Sequence, residues 1–411
     1  MPELLIPKYQ LPGGAKPFAR RLRALLSADR PAACPVPIGL AAPQPLSDTV
    51  AICTHAIARH LVEGNAASLP IFNTRPPDTW RILTAASWNR PDAFTEEFGD
   101  LPADLASDLW LQVDQVCRDR DSLAPPALRA AADLLLRLGY PKRAAELLGM
   151  SGTEADAHRF SPQLAREEMS VLFRFHHDSA QLEQLALNAA ADERIDAYAR
   201  LMLANFIVVR NGKRGTDTPE AHQAAELGRA ALASLDDTET VKALAEHTWL
   251  RAVAYLPFLK SDIKATLAML DRAEECLTLG RPSDGTLRLL AWEDHATPLY
   301  ETLAKTLIIF GQAERAVAAT DRLVELNPHD HRTWNRRGQA LAAAGRIDEA
   351  LYAFERTLPL GGVAVAEAAF HLGWVYEQLG KPDLARDHYL LSQRVDPTVE
   401  VVDERLKNLP Q

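Results

Sequence analysis

The sequence has little of what marks a secreted, membrane-spanning or metal-binding protein. Its 411 residues include four cysteines, Cys34, Cys53, Cys117 and Cys276, and no two of them have the close spacing of a metal knuckle. A disulfide framework and a zinc site both need paired spacings, so we predict four buried thiols instead. The longest apolar runs, such as 201–209, are about half the length that crosses a bilayer. We therefore expect a cytoplasmic protein that makes no use of a membrane.

The chain also lacks the short motifs that carry common chemistry. It has no phosphate-binding G-x-x-x-x-G-K-[ST] loop, no G-x-S-x-G nucleophile motif and no H-E-x-x-H zinc motif. His176, His177 and Asp178 follow one another at the end of a predicted helix, where the helix dipole and the free carbonyl groups already explain two histidines. We predict no cofactor and no metal, and His176 and His177 are the candidates if a metal is bound.

Basic charge is scarce except at the start of the chain. The net charge is −10, yet residues 1–46 carry six basic and two acidic side chains, which leaves −14 on the remainder. Such an acidic body disfavours nonspecific binding of nucleic acid. Residues 1–46 also hold nine of the 27 prolines, so we predict an extended, basic arm that contains one short helix at 16–26.

What the sequence does have is alanine and leucine, with few β-branched residues, which predicts an all-α protein. A glycine followed five residues later by an alanine recurs in four similar phrases: LGYPKRA, FGQAERA, AGRIDEA and LGKPDLA, ending at Ala144, Ala316, Ala350 and Ala385. A glycine can end one helix in a left-handed conformation, and a small side chain lets the next helix cross closely. The phrase therefore predicts the turn of a helical hairpin.

The last three phrases belong to a longer period. Small residues of the first helix fall at Ala304, Gly338 and Gly373, which are 34 and 35 residues apart, and the alanine of the second helix follows twelve later each time. With the aromatic residues Trp334, Phe354 and Tyr389 and prolines after the second helix, this pattern resembles the tetratricopeptide repeat. The resemblance implies a helical-hairpin solenoid wound as a right-handed superhelix, with a less regular helical part before it.

We predict five regions along the chain. Residues 1–46 form the proline-rich basic arm, and residues 47–149 form an irregular helical region that ends in one repeat-like hairpin. Degenerate helical repeats follow at 150–296, with helices at 161–176, 179–190, 193–210, 219–235, 238–259 and 262–279 and a long loop at 211–220. Three tetratricopeptide-like repeats occupy 297–398, and a cap helix occupies 399–411.

The resemblance also implies a binding face, because tetratricopeptide proteins line a concave groove with their first helices. Arg332 and Arg336 are four residues apart on one such helix, so both guanidinium groups are expected to project from one side and grip a carboxylate. We expect Asn335 and Gln339 to bind a peptide backbone, and Phe370 and Trp374 to anchor apolar groups. The full predicted groove comprises Lys305, Arg332, Asn335, Arg336, Gln339, Phe370, His371 and Trp374.

These features predict a non-catalytic scaffold that binds a protein or peptide, one with an acidic group or a C-terminal carboxylate, in the groove. Two alternatives stay open. The first is an enzyme, or an obligate subunit of one, with a pocket in residues 47–296 and repeats that recruit the substrate; the Trp/Pro-rich segment at 71–94 and the histidines at 176 and 177 motivate it. The second is a regulator that binds DNA through the basic arm.

Overall fold

A computed structural model defines the structure of the protein. It describes residues 49–73, 108–138, 140–150, 160–176, 180–283, 286–328, 330–358, 364–397 and 399–410. The predicted arm at 1–46 with its basic helix at 16–26 and Cys34, most of the 71–94 segment, and His177 lie outside these residues.

The described residues form α-helices, turns and two short 3₁₀ helices, with no strand among them. The prediction of an all-α hairpin protein is confirmed. None of these helices is both long and apolar enough to span a membrane. The helices are α1 Thr49–Val62, α2 Asp108–Arg118, α3 Pro125–Leu138, α4 Pro141–Leu147, α5 Ala165–His176, α6 Ala180–Ala190, α7 Ala197–Arg214, α8 Pro219–Ala233, α9 Glu239–Val253, α10 Tyr255–Leu259, α11 Ile263–Leu279, α12 Thr286–Ile309, α13 Ala313–Leu326, α14 His331–Ala343, α15 Ile347–Thr357, α16 Ala364–Gln378, α17 Pro382–Val395 and α18 Glu400–Asn408.

The chain divides into two compact units. One, the C-terminal unit, includes Tyr300–Gln411, and the other, the central unit, includes Ala56–Arg75 and Leu111–Leu299. In the C-terminal unit, successive helices pack as the hairpins α14/α15 and α16/α17, preceded by α13, which packs on α14.

Three hairpin turns, between α12 and α13, between α14 and α15, and between α16 and α17, each contain a glycine in the left-handed region. Gly311, Gly345 and Gly380 have φ of 72°, 74° and 66°. In the second turn, Gly345 N donates to Ala342 O at 3.0 Å and Arg346 N donates to Leu341 O at 2.9 Å. The first and third turns repeat this pair of hydrogen bonds. Residues with a Cβ resist positive φ, which explains why the sequence repeats glycine at these points.

The small residues of the repeat are fixed by an aromatic ring on the partner helix. A Cβ added at Gly338 would lie 2.4 Å from Phe354 Cε1, and one at Gly373 would lie 2.6 Å from Tyr389 Cδ1. Both rings are fully buried. In α12 and α13, the position that corresponds to Gly338 holds the larger residue Ala304, and the position that corresponds to Phe354 holds the smaller residue Thr320. Both are fully buried.

The central unit contains the predicted hairpin at 125–149, seen as α3 packed on α4. Its later helices follow the predicted ones, except that the predicted helix at 238–259 is divided into α9 and α10. Thr218 and Asp262 cap α8 and α11 by accepting hydrogen bonds from Ala221 N and Ala265 N. The predicted loop at 211–220 is partly wrong, because α7 continues to Arg214.

The extra turn of α7 has a physical cause in its own side chains. Asn211 is buried, and its Nδ2 donates to Glu183 Oε1 at 2.6 Å and to Ile207 O at 3.1 Å. Gly215, at φ 73°, then ends the helix. A polar stretch of sequence is therefore held in a helix by a hydrogen bond to the neighbouring helix α6.

The predicted cap helix is α18, which packs on α17. Val402 is fully buried, and Arg405 NH1 lies 3.3 Å from Glu377 Oε1. The apolar stripe of α18 thus covers the last hairpin and its charged face stays outside. Of the predicted thiols, Cys53, Cys117 and Cys276 are buried and form no disulfide.

Candidate functional site

Four of the predicted groove residues meet where two first helices of the C-terminal unit contact each other. Asn335 and Gln339 are one turn apart on α14, and His371 lies on α16. The 3.6-residue period places side chains four apart on the same face, so each helix presents a short polar row to the other. We call the side chains of Asn335, Arg336, Gln339, Glu367 and His371 the polar face.

Asn335 is the centre of this network. Its Nδ2 donates to Glu367 Oε1 at 2.6 Å, and its Oδ1 accepts from His371 Nδ1 at 2.6 Å. The side chain is 3% exposed, so both ends of the amide need these partners. Asn335 therefore fixes the spacing of α14 and α16 and leaves little of its own polarity for a partner.

His371 is held as a neutral imidazole. Because Asn335 Oδ1 is an acceptor, the proton lies on His371 Nδ1, and Nε2 accepts from Gln339 Nε2 at 3.4 Å. Burial lowers the pKa of His371 to about 3, and the nearby positive charge of Arg336 acts in the same direction. The ring also stacks on Phe354, with centroids 4.9 Å apart.

Arg336 and Gln339 form the accessible part of the polar face. Arg336 NH1 donates to Gln339 Oε1 at 2.6 Å, and both side chains are half-buried. Desolvation lowers the pKa of Arg336, while Glu367 and Glu301 oppose that effect. The guanidinium thus sits in a poorly solvated place, where a further acceptor would be bound strongly.

Arg332 does not join Arg336 in the predicted paired grip. Its Nε lies 3.0 Å from Asp330 Oδ1, and its NH2 lies 2.6 Å from Asp330 Oδ2. Asp330 also caps α14 by accepting from Arg332 N at 2.8 Å. The Asp330 carboxylate therefore already binds the guanidinium group of Arg332, because a helix-capping residue lies close to the side chain two positions later.

The two predicted apolar anchors are core residues of the C-terminal unit. Phe370 is fully buried and Trp374 is 4% exposed. The Phe370 ring centroid lies 5.8 Å from that of Tyr389, and the tight crossing at Gly373 draws this part of α16 against α17. Neither ring offers apolar surface to a partner in this structure. Lys305, by contrast, is exposed.

Glu367 is the polar-face residue that the sequence reasoning missed. Desolvation raises the pKa of Glu367, and the positive charges of Arg336, Lys305 and Arg332 and the Asn335 hydrogen bond oppose this effect. The available signal was an acidic residue four positions before His371 on the same helix face. The acid balances part of the positive charge that the predicted groove would offer to a carboxylate.

Sequence models of known families identify the repeats. The model described as "Tetratricopeptide repeat" matches residues 366–399, and the model described as "Bacterial transcriptional activator domain" matches residues 280–360. The first match covers α16 and α17, whose turn and helix crossing have the same geometry as those of α14 and α15. The chain is a tetratricopeptide-type repeat protein. No curated protein matches it over its sequence.

Solved structures with a related arrangement include other helical-repeat proteins. YrrB, described as a TPR protein with an unusual peptide-binding site, is 18% identical, with a TM-score of 0.37 over 54% of this chain and 97% of YrrB. MamA AMB-1 is 19% identical, with a TM-score of 0.31 over 47% and 96%. A human IFIT1 dimer with PPP-AAAA is 14% identical, with a TM-score of 0.47 over 73% and 68%. These TM-scores are low, so the assignment of the repeat protein rests on its sequence matches.

The repeat protein shows no assembled metal ligands in its described ranges. No three His, Cys, Asp or Glu side chains come together there in a way that could hold a metal ion. His176 is the last residue of α5, and His177 and Asp178 lie outside the described residues. The prediction that His176 and His177 are the candidates for a metal therefore stays a prediction.

Proposed function

We propose that the C-terminal unit of this repeat protein is a scaffold that binds a protein or peptide partner through the polar face. The observation that carries the proposal is the way Arg336 and Gln339 are held: both are half-buried, and each is fixed by hydrogen bonds to a neighbour. Groups that are already ordered lose little entropy when a partner binds.

The chemistry of these groups defines the partner. The Gln339 amide and the unused N–H groups of Arg336 match the carbonyl groups of an extended peptide, and Arg336 also suits a carboxylate. Because Phe370 and Trp374 are buried, polar contacts supply the recognition, and Lys305 adds a positive charge nearby. A peptide with an acidic group or a C-terminal carboxylate remains the proposed partner.

The test compares partner capture by three forms of the full-length protein. In one variant Arg332→Ala and Arg336→Ala are combined, and in the control Lys381→Ala and Arg394→Ala remove two exposed charges on α17 and its turn. Captured proteins are identified by mass spectrometry and their affinities measured with the parent protein. We expect the first variant to bind the identified partner at least about tenfold more weakly, because a charge-assisted hydrogen bond contributes about 1.5–3 kcal/mol.

Circular dichroism and thermal melting establish that both variants are folded. A partner that binds the Arg332/Arg336 variant as tightly as the parent would show that the polar face is not the binding site. Equal weakening by the control variant would show a general charge effect and would also contradict the proposal.

A second candidate function follows from the match of residues 280–360 to the bacterial transcriptional activator domain. In that case the repeats belong to a regulator of transcription and the basic arm contacts DNA. The expected signature is DNA binding that weakens steeply with salt and is lost when residues 1–30 are deleted. DNA binding unchanged by that deletion, or absent at low salt, would contradict it.

A further inference from the structure

The central unit contains a cavity that the partner-binding face does not use. Its volume is about 240 Å³. Helices α3, α5 and α7 supply its polar lining, and the segment 69–72 supplies an apolar wall with Leu69, Pro70, Ile71 and Phe72. Phe72 is 5% exposed, whereas Arg129 on α3 is exposed. The cavity therefore has a partly buried apolar wall and an exposed charged residue in its lining.

A buried ion pair fixes the apolar wall in place. Asp294 Oδ2 accepts from Asn73 N at 2.9 Å and from Arg137 NH2 at 3.1 Å, while Arg137 NH2 also donates to Asn73 O at 2.6 Å. The Asp294 and Arg137 side chains are 0% and 2% exposed. Such a network holds segment 69–73 against the helices, so the cavity is a built feature of the fold.

The carboxylates that line the cavity already have partners. Asp133 Oδ2 accepts from Arg137 Nε at 2.9 Å, and Glu167 Oε1 accepts from Arg166 Nε at 2.9 Å and from Arg166 NH2 at 2.6 Å. Asp196 Oδ1 accepts from the backbone of α7, at Ala199 N. The carboxylates of the lining are therefore already hydrogen-bonded to groups of the protein itself.

Two donors of the lining are uncommitted. Arg129 makes no hydrogen bond or ion pair with the part of the chain that the structure describes, and the same holds for the Tyr198 hydroxyl. Tyr198 is 9% exposed, and burial raises its pKa to about 12, so the phenol keeps its proton. Tyr198 lines the cavity together with Arg166, Glu167 and Asp133. Both groups can therefore donate a hydrogen bond to a ligand oxygen.

We propose that this cavity binds a small organic carboxylate, with the carboxylate between Arg129 and the Tyr198 hydroxyl and a compact apolar body against Phe72 and Pro70. The volume is below the range of about 300–1,000 Å³ that is usual for drug-sized ligands. It suits a carboxylate on a single ring or a short branched chain. This site lies in the central unit, so an experiment that contradicts it would not contradict the proposal for the polar face.

Calorimetric titration of the full-length protein with phenylacetate tests the site. Phenylacetamide has the same shape without the charge, and inorganic phosphate has the charge without the ring. We expect saturable binding of phenylacetate and at least about tenfold weaker binding of phenylacetamide and phosphate, because both the charge and the apolar contact are required. Bound phenylacetate should also raise the melting temperature.

Three variants assign the binding to the proposed residues. Arg129→Gln removes an exposed charge and Tyr198→Phe removes only a hydroxyl, so neither leaves a cavity in the core. Arg229→Gln is the matched control, because Arg229 is 71% exposed on α8 of the same unit and pairs only with Glu226 among the described residues. We expect Arg129→Gln to weaken phenylacetate binding about tenfold, Tyr198→Phe about threefold to tenfold, and Arg229→Gln not at all.

Four results would overturn the proposal. The first is that phenylacetate, benzoate and 3-phenylpropionate all show no saturable binding at millimolar concentration, and the second is that phenylacetamide binds as tightly as phenylacetate. The third is that Arg129→Gln and Tyr198→Phe both bind phenylacetate as tightly as the parent, and the fourth is that Arg229→Gln weakens binding as much as they do. Partner capture by the polar face is measured separately and is expected to be the same in Arg129→Gln and in the parent.

Discussion

Gly338→Ala adds a methyl group to a helix crossing that has no room for it. The new Cβ would lie 2.4 Å from Phe354 Cε1, 2.6 Å from Cδ1 and 2.7 Å from Cζ. These distances are far below van der Waals contact, and the ring is fully buried, so it has no solvent space to enter. The crossing of α14 and α15 must open or the ring must leave its preferred rotamer.

Two effects of opposite sign set the size of the change. Overpacking a filled core costs about 1–3 kcal/mol, whereas replacing a helical glycine by alanine gains about 1 kcal/mol of helix propensity. Because the added Cβ would lie only 2.4 Å from a buried ring, we expect the cost to fall in the upper part of that range, about 2–3 kcal/mol, so Gly338→Ala should lower the free energy of unfolding by about 1–2 kcal/mol. Phe354→Leu alone should lower it by a similar amount, since it removes ring contacts that include the stacking on His371.

The double variant Gly338→Ala/Phe354→Leu tests whether the effect of Gly338→Ala comes from a clash with the Phe354 ring. With a smaller leucine side chain at position 354, the methyl group added at position 338 has room. The double variant should then be less destabilised than the sum of the single variants by about 1 kcal/mol or more. The sequence has such a combination at the corresponding positions of α12 and α13, where Ala304 and Thr320 are both fully buried.

Urea unfolding followed by far-ultraviolet circular dichroism measures these energies. Gly228→Ala serves as the control for the cycle, because its Cβ would meet Trp249 in the central unit, so its effect should simply add to that of Phe354→Leu. The packing argument fails if Gly338→Ala is neutral or stabilising, as helix propensity alone predicts, or if its effect adds to that of Phe354→Leu.

Two further predictions concern buried charge. Burial lowers the pKa of His371 and His247 to about 3 and that of His295 to about 4, so below about pH 6.5 the unfolded chain binds protons that the folded chain does not. Stability is then present above that pH and falls toward pH 4, by up to about 1.4 kcal/mol per pH unit for each histidine; urea titrations at several pH values that showed no such slope would contradict this. Asp294→Asn removes one of the two carboxylates that pair with the buried Arg137 and leaves Asp133 as the other, so we expect the free energy of unfolding to fall by about 1.5–3 kcal/mol at neutral pH in the same assay. A loss below about 1 kcal/mol would mean that Arg137 is sufficiently balanced without Asp294.

The repeats could be read from the sequence because their cause is local. A left-handed glycine such as Gly345 and a tight crossing such as that at Gly338 allow few residue types, so each position leaves a mark in the sequence. The central unit has the same kind of crossing at Gly228, where a Cβ would lie 2.4 Å from Trp249. The sequence reasoning missed it, because that pair lacks the accompanying glycine-to-alanine phrase. Tight glycine–aromatic helix crossings therefore also occur outside the repeats that the glycine-to-alanine phrase marks.

The candidate site could be read only in part, because exposure and pairing depend on neighbouring helices. Helical periodicity predicts that Asn335, Gln339 and His371 lie on the groove-lining face of the first helices, yet it does not say how far apart those helices lie. At the distance that the structure has, Asn335 is a connector between two helices, and Arg336 is the group that retains open hydrogen-bonding capacity. Which polar residue binds a partner is therefore decided by helix spacing, which no single repeat encodes.

The burial of Phe370 and Trp374 changes the kind of recognition that this face supports. With both rings in the core, a partner would gain little from apolar burial here and would depend on Arg336, Gln339 and the charge of Lys305. Polar recognition gives orientation and salt dependence more than raw affinity. The half-buried Glu367 adds a further condition, because a partner carboxylate must compete with a carboxylate that is already held in place. Binding through this face is thus expected to be selective, moderate in affinity and weakened by salt, as befits a scaffold that holds its partner reversibly.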